Sequence, residues 1–371
     1  MMAVHILPIA GVAGVVHAAA AGRSAALFAT LAGVGLALAS GGPTPPTGAA
    51  LWRARRATAA RAAVIGVIGL TLGGLPTPAA IILAYYAVLF LAAALVLGWP
   101  ARRLAVAAVV AGLATPVLSH VLRLEYGRGP GPNLSWESLA DPGGTAVTLL
   151  LTGYYPVLTW TTYLLAGLAV GRLPLRRPGV AARLATGGAL LAAAAALASW
   201  VAVRLAGGEA ALARLAPGAS SVSGRGDKLF DESFYGTTPT TSWWFLGVPA
   251  PHSGSIPDLL HTTGTAIAVL GLALLVARRW PRAVIPLVAL GSMTLTLYSL
   301  HVLLLAVGED AFPDPDVVAW WMLAFNVFVA LVVATLWRAR GRRGPLEELA
   351  ASAAEAAGGT VRHPGSRPAP E

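Results

Sequence analysis

Long apolar runs separated by short polar connections dominate the chain. A helix needs about 20 mostly apolar residues to cross the hydrocarbon core of a bilayer. Ten segments approach that requirement, several of them interrupted by Gly or Pro: 1–21, 24–40, 62–76, 79–99, 104–122, 144–170, 184–206, 259–277, 283–307 and 317–337. The third is short and ends at Pro76-Thr77-Pro78, read as a tight turn at the bilayer surface. Two connections are long, 123–143 and 207–258, and the second carries Phe234-Tyr235 and Trp243-Trp244-Phe245. The tail from Ala350 is rich in Ala, Gly and Pro and is expected to be disordered. The pattern predicts an all-α polytopic bundle of about ten transmembrane helices over 1–345, followed by a tail at 346–371.

Composition removes the soluble alternatives. Of 371 residues, 56% are hydrophobic and 11% charged, with mean hydropathy +0.70. A soluble domain carries about 25% charged residues, so a water-soluble globular enzyme and a disordered chain are both excluded. The absence of Cys removes a disulfide framework, thiolate metal sites and a Cys nucleophile, and leaves the redox compartment undecided. The net charge of +10 would suggest nucleic acid in a soluble protein. Here the position of the arginines accounts for it, and no nucleic-acid partner is expected. Seventeen basic residues lie in connections after even-numbered spans, including Arg53, Arg55, Arg56, Arg61, Arg172 and Arg278, against seven after odd-numbered ones. The positive-inside rule then makes both termini cytoplasmic. Residues 1–21 resemble a signal peptide in their small-residue end, but lack the positive n-region and are read as a retained span.

The candidate chemistry lies in the histidines. Ionisable side chains near a span are costly and tend to mark function. Under this topology His17, His120, His252, His261 and His301 gather toward the outer face, with His5 deeper in the first span and His363 in the tail. Asp258 and His261 are three apart at a helix start and share a face, so the carboxylate is placed to orient the imidazole. The competing reading is that histidines at helix ends simply reach water. No His pair has the i, i+4 spacing of a helical metal site, and no metal is expected. Tyr154, Tyr155, Trp160 and Tyr163 fit an aromatic belt, and Ser292, Thr294, Thr296 and Ser299 fit interhelical hydrogen bonding.

Several of these runs together resemble a family. MMAVHILPIAGVAGVVH followed by GRSAALFATLAGVGLAL is similar to the first two spans of the heparan-α-glucosaminide N-acetyltransferase-like transmembrane acyltransferases, in their bacterial branch. GSMTLTLYSLH (291–301) and GRRGPLEEL (341–349) resemble its C-terminal signatures. His5 and His17 fall where that family has a polar residue in the first span and, a dozen positions later, an outer-face histidine. The resemblance implies transfer of an acyl group, usually acetyl from cytoplasmic acetyl-CoA, to a sugar amine or hydroxyl on the far side, with the outer histidine as general base. It also implies a cell-membrane location and glycan modification in the cell envelope. The family's first span normally opens with an acidic residue and an Arg-Gly pair, which are absent here upstream of Met1. On that comparison the chain as given reads as truncated: either its start is misassigned or the cytoplasmic end of its site is incomplete.

The residues suit that chemistry. A base must take the acceptor's proton and donors must hold the developing oxyanion. His17 is the candidate base, with the Asp258–His261 pair as the competing one. His301, Tyr154, Tyr155, Trp243 and Trp244 are candidate acceptor-binding residues, since sugars stack on aromatic faces. Arg53, Arg55, Arg56 and Arg61 would attract the phosphates of CoA. On an ideal helix His5 and His17 lie about 18 Å apart, so His5 is expected to act separately, near the thioester, unless Pro8, Gly11 and Gly14 break the helix. The expected partners are the lipid bilayer, acyl-CoA and a glycan or glycolipid acceptor; whether the protein forms a homodimer stays open. The main alternative is a transporter of a small solute or lipid-linked sugar, favoured by Gly and Pro breaks in the spans. A scaffold subunit without activity is the third.

Overall fold

The computed structural model describes residues 1–7, 11–126, 131–215, 234–308 and 315–359. Among the described residues all regular structure is helical. The N-terminal half comprises α1 (Met2–Ile6), α2 (Gly11–Ala20), α3 (Arg23–Ala39), α4 (Gly48–Gly73), α5 (Leu83–Val96), α6 (Ala101–Tyr126), α7 (Pro142–Val147) and α8 (Val157–Gly171). The C-terminal half comprises α9 (Pro178–Trp200), α10 (Gly208–Ala213), α11 (Ile256–Arg279), α12 (Ile285–Gly291), α13 (Thr294–Gly308), α14 (Pro315–Ala339) and α15 (Pro345–Gly358).

The short apolar helix α8 is the centre of the bundle, with twelve of its fifteen residues buried, and α3 and α6 flank it. Lipid offers no hydrophobic drive for helices to associate, so close packing of small residues has to supply it. Gly33 on α3 and Gly167 on α8 do this: a Cβ on either would overlap the other helix's backbone. Gly188 on α9 and Gly264 on α11 bring those two helices together in the same way. Beside α8 an aromatic column of Tyr155, Trp160 and Tyr163 packs edge to face, with ring centroids 4.9 and 5.0 Å apart, and continues into Tyr85, Tyr86 and Tyr298.

By length and composition six helical stretches are able to cross a membrane: Ala13–Ala39, Gly48–Gly73, Ala101–Tyr126, Pro178–Leu205, Ile256–Arg279 and Val318–Ala339. The pair α12 and α13, bent by 78° at Ser292-Met293, makes a seventh if counted as one broken span. Helices α5 and α8 are apolar but shorter. This is fewer than the ten runs in the hydropathy pattern, and the first two runs explain part of the difference. Residues 1–21 do not form one helix: Leu7 is extended (φ −79, ψ 140), the conformation that a following proline favours. Helix α2 instead continues toward α3 through Gly22 at φ +70, so Ala13–Ala39 counts as a single candidate span.

Two further expectations change. Arg53, Arg55, Arg56 and Arg61 are not in a loop but on the first half of the 26-residue helix α4, because Ala and Arg at 49–63 are strong helix formers. The chain from Ala350 is ordered helix as far as Gly358: Ala350, Ala351 and Ala354 pack on α4, and such an alanine-rich stretch is helical wherever it finds a surface to cover. The remaining tail residues, including His363, lie outside the described residues, as do residues 216–233 of the long connection at 207–258.

Candidate active site

The break between α1 and α2 gathers the histidines. His5 comes within electrostatic reach of His17, His252 and His301, although an unbroken helix would have kept it apart from His17. Its ring meets that of His301 edge to edge in nearly one plane (centroids 5.3 Å apart, planes 7° from parallel), with His5 Nδ1 3.1 Å from His301 Nε2. His301 Nδ1 in turn lies 2.9 Å from Asn326 Oδ1 on α14. His301 was expected to bind the acceptor; both of its ring nitrogens are already engaged. Asn326 carried no prediction, yet a lone amide in the run WWMLAFNVFVALVV was a visible signal, since a polar side chain in a lipid-facing span needs a partner.

At the junction of α2 and α3 the backbone itself takes part. The Gly22 N–H donates to His252 Nε2 at 3.2 Å, and Arg23 Nε donates to His261 Nε2 at 3.3 Å. His261 Nδ1 donates to the Ala192 carbonyl at 3.1 Å, so both of its nitrogens are used and it holds no free lone pair. The expected Asp258–His261 pair does not form. Asp258 sits in the first turn of α11, and its carboxylate turns back to accept the Gly254 N–H at 3.0 Å, while His261 points toward α9. His252 has a left-handed backbone (φ 55), as does Tyr235 (φ 49), and its carbonyl accepts the Gly236 N–H at 2.7 Å. Strained non-glycine residues of this kind cluster at functional sites. Burial, with His17 nearby adding to it, pushes the His252 imidazole down to about 4, so it is neutral at pH 7.

His17 differs from these. Neither ring nitrogen has a hydrogen-bond partner among the described residues, Nδ1 is buried, and the residue as a whole is half-buried. His120 is also without a partner at Nδ1, but it is sealed under Trp243, whose ring lies 4.3 Å away. Trp243 is itself exposed, whereas Trp244 packs against the small core of Leu212, Phe245, Val248 and Ala250. Tyr155 is buried and donates to the Ala80 carbonyl at 3.2 Å, while Tyr154 is half-buried with its ring edge-on to Tyr235. Of the aromatic acceptor-binding candidates, Trp243 and Tyr154 therefore offer a face.

The arginines lie at the other end of α3, about 24 Å away along an ideal helix. A cavity of about 830 Å³ opens there, with Ser40, Thr47, Arg53, Thr58 and Arg61 on one side and Glu355 of α15 on the other. Arg55 is not part of it: its guanidinium donates to the carbonyls of Ala94 and Leu95, each at 2.9 Å, at the C-terminal end of α5. Arg56 is exposed. Arg172 is buried and donates to the carbonyls of Ala37 (2.9 Å), Gly42 (2.8 Å) and Leu97 and to Ser40 Oγ (3.0 Å), tying together the C-terminal ends of α3 and α5. Between the two ends an apolar pocket of about 360 Å³ is lined by Leu27, Phe28, Leu31, Leu297, Tyr298 and His301. The two C-terminal motifs also meet. The Glu347 carboxylate accepts the N–H groups of Leu295 (2.6 Å) and Thr296 (3.1 Å), capping the N-terminus of α13. Among the described residues no group of three His, Asp or Glu is placed to hold a metal ion.

No curated protein and no solved structure matches the chain. Residues 235–356 match a family described as a protein of unknown function, DUF418, and this region supplies His252, His261, His301, Asn326 and Glu347. Residues 3–203, more than half of the chain, match the model of the heparan-alpha-glucosaminide N-acetyltransferase catalytic family. That region contains His5, His17, Arg23 and the arginine-lined wall of α4, so the helical membrane architecture, the histidine cluster and the sequence match converge: the chain belongs to the heparan-alpha-glucosaminide N-acetyltransferase catalytic family.

Proposed function

We propose that this protein is a membrane acyltransferase that moves an acyl group, acetyl in the simplest case, from acyl-CoA on the arginine side to a sugar hydroxyl or amine on the histidine side. The observation that carries this reading is the sequence of environments along α3: a cavity with Arg53 and Arg61, an apolar pocket, then the histidines. Anionic phosphates suit the first, an acyl group the second, and proton transfer the third. In this assignment the arginine side is the cytoplasmic one by the positive-inside rule, and the packing of α15 near Arg53 and Ala57 of α4 supports a C-terminal helix on the same side. In this reading α5 and α8 also traverse the bilayer as short, protein-surrounded spans, and the protein sits in the bacterial cytoplasmic membrane.

His17 is the base. It alone of the outer histidines combines uncommitted ring nitrogens with access, so it takes the proton of the incoming hydroxyl or amine as the acceptor attacks the thioester carbonyl. The tetrahedral intermediate then collapses with cleavage of the C–S bond, and CoA leaves as its thiol with the proton that the imidazole gives up. Trp243 and Tyr154 are the faces on which a sugar ring stacks. The broken pair α12–α13 favours a second reading, since interrupted helices line the substrate sites of transporters. One experiment separates the two. Purified protein is reconstituted in vesicles of known orientation with labelled acetyl-CoA and a panel of amino sugars. Acylated product should form only with acetyl-CoA on the face that carries Arg53. Product formed equally from either face sinks the two-sided mechanism, and sugar accumulation without acetyl-CoA consumption establishes the transporter.

A further inference from the structure

We infer that the C-terminal region completes the active site by fixing the protonation pattern of His5 through a chain that runs His5–His301–Asn326. This deepens the acyltransferase reading and rests on it. The three residues come from α1, α13 and α14, and the first is 296 positions from the second.

The direction of the chain follows from its far end. The Asn326 amide nitrogen is 2.9 Å from the Met322 carbonyl, which accepts only, so the NH₂ group faces Met322 and Oδ1 faces His301. Oδ1 also accepts only, so His301 Nδ1 bears the proton, and in the neutral ring Nε2 is then a bare lone pair. That lone pair faces His5 Nδ1 at 3.1 Å, so His5 Nδ1 is the donor. His5 Nε2 is therefore unprotonated, and it has no hydrogen-bond partner among the described residues. Each link excludes the opposite tautomer of the next, and the near-coplanar, edge-to-edge arrangement of the two rings suits an in-plane N–H···N hydrogen bond.

The chain ends on an amide, which does not titrate, so it is not a wire to water. Its role is positioning. Asn326 and His301 present His5 as an acceptor at Nε2, and His301 itself lines the apolar pocket. The His5 lone pair accepts a hydrogen bond or proton from a group on the donor or acceptor substrate. The charge it gains is shared with His301 and stabilised by Asn326 Oδ1. The other titratable groups facing His5 are His17, His252 and the amino group of Met1.

The test pairs a spectroscopic readout with turnover. Nitrogen-15 histidine spectra of the full-length protein in nanodiscs should show His5 as the Nδ1–H tautomer. Asn326→Leu should remove that preference and lower acetyl-CoA turnover about tenfold, the worth of one hydrogen bond, with KM unchanged. His301→Gln keeps an acceptor toward His5 and a donor toward Asn326 and should retain the tautomer, whereas His301→Leu should lose it and cost about a hundredfold or more. A His5 tautomer that is Nε2–H, or that ignores Asn326→Leu, overturns the proposal. If the wild-type protein transfers no acyl group, the acyltransferase reading fails, and the spectra still decide whether the chain sets the tautomer.

Discussion

The two ends of α3 handle polar groups in opposite ways. At the C-terminal end the cations are arginines, which keep their protons even when buried, and buried Arg172 and half-buried Arg55 are matched to carbonyls at helix ends. Arg172 joins the ends of α3 and α5, and Arg55 binds the last turn of α5. Those carbonyls have no partner within their own helices and carry the negative end of the helix dipole, so a guanidinium satisfies them without any carboxylate. At the N-terminal end the polar groups are chiefly histidines, which bond to one another, to backbone and to Arg23. The arginine end is thus largely structural, with Arg53 and Arg61 left over to face the cavity. At the histidine end proton positions are set by geometry, and one imidazole, that of His17, is left without a hydrogen-bond partner among the described residues.

The sharpest test of that contrast is to disable one end at a time. His17→Ala should reduce turnover by about 10²–10⁴-fold, the usual worth of general-base help, while leaving the melting temperature in detergent almost unchanged. If His17→Ala keeps full activity and His261→Ala is dead, the base belongs to His261 and the assignment made here is wrong.

Arg172→Ala should act in the reverse manner. It leaves the buried carbonyls of Gly42 and Leu97 without their donor, each costing about 1–3 kcal/mol, so destabilisation on the order of 3 kcal/mol is expected from thermal melts. Arg172→Lys should recover only part of it, because an ammonium cannot reach all of these carbonyls with one planar fork. An Arg172→Ala protein as stable as wild type would end the argument that the arginine end is a structural tie.

The smallest effect expected is a pH effect at the histidine end. Burial holds His252 down to about 4, against about 6.5 when unfolded. The unfolded chain therefore binds the extra proton first. The contribution of His252 to stability is fully present above about 6.5 and is lost as pH falls toward 4, about 2 kcal/mol of it between pH 7 and pH 5. His252→Asn, which tolerates the left-handed backbone, should flatten that part of the pH dependence. An equally steep loss in the variant would assign the acid sensitivity to another group.

Much of this protein was legible in one dimension. Helical runs, their apolar composition and the asymmetry of the arginines are local properties, so the all-α membrane class followed from hydropathy alone. The histidines were legible as candidates too, because ionisable side chains stand out in apolar runs; the approach of His5 to His17, His252 and His301 was not, because it needs the break at Leu7. The span count was less secure: Leu7 and Gly22 redirect the first two runs, and a window average does not detect one extended residue before a proline.

The pairings were not legible, because they depend on which helices touch. Asp258 and His261 share a helix face by spacing, yet backbone groups nearer to each took both. Arg55, Arg56 and Arg61 look alike in sequence, and only the packing of α4 on α5 and α15 sends one to carbonyls, one to the surface and one to a cavity. His5, His301 and Asn326 are isolated polar residues in three separate apolar runs. The sequence by itself determined that each needs a partner, since an unpaired polar group in a lipid-surrounded bundle is costly. Tertiary structure alone decided that they are partners of one another, because a hydrogen bond depends on distance and direction in space and not on separation along the chain.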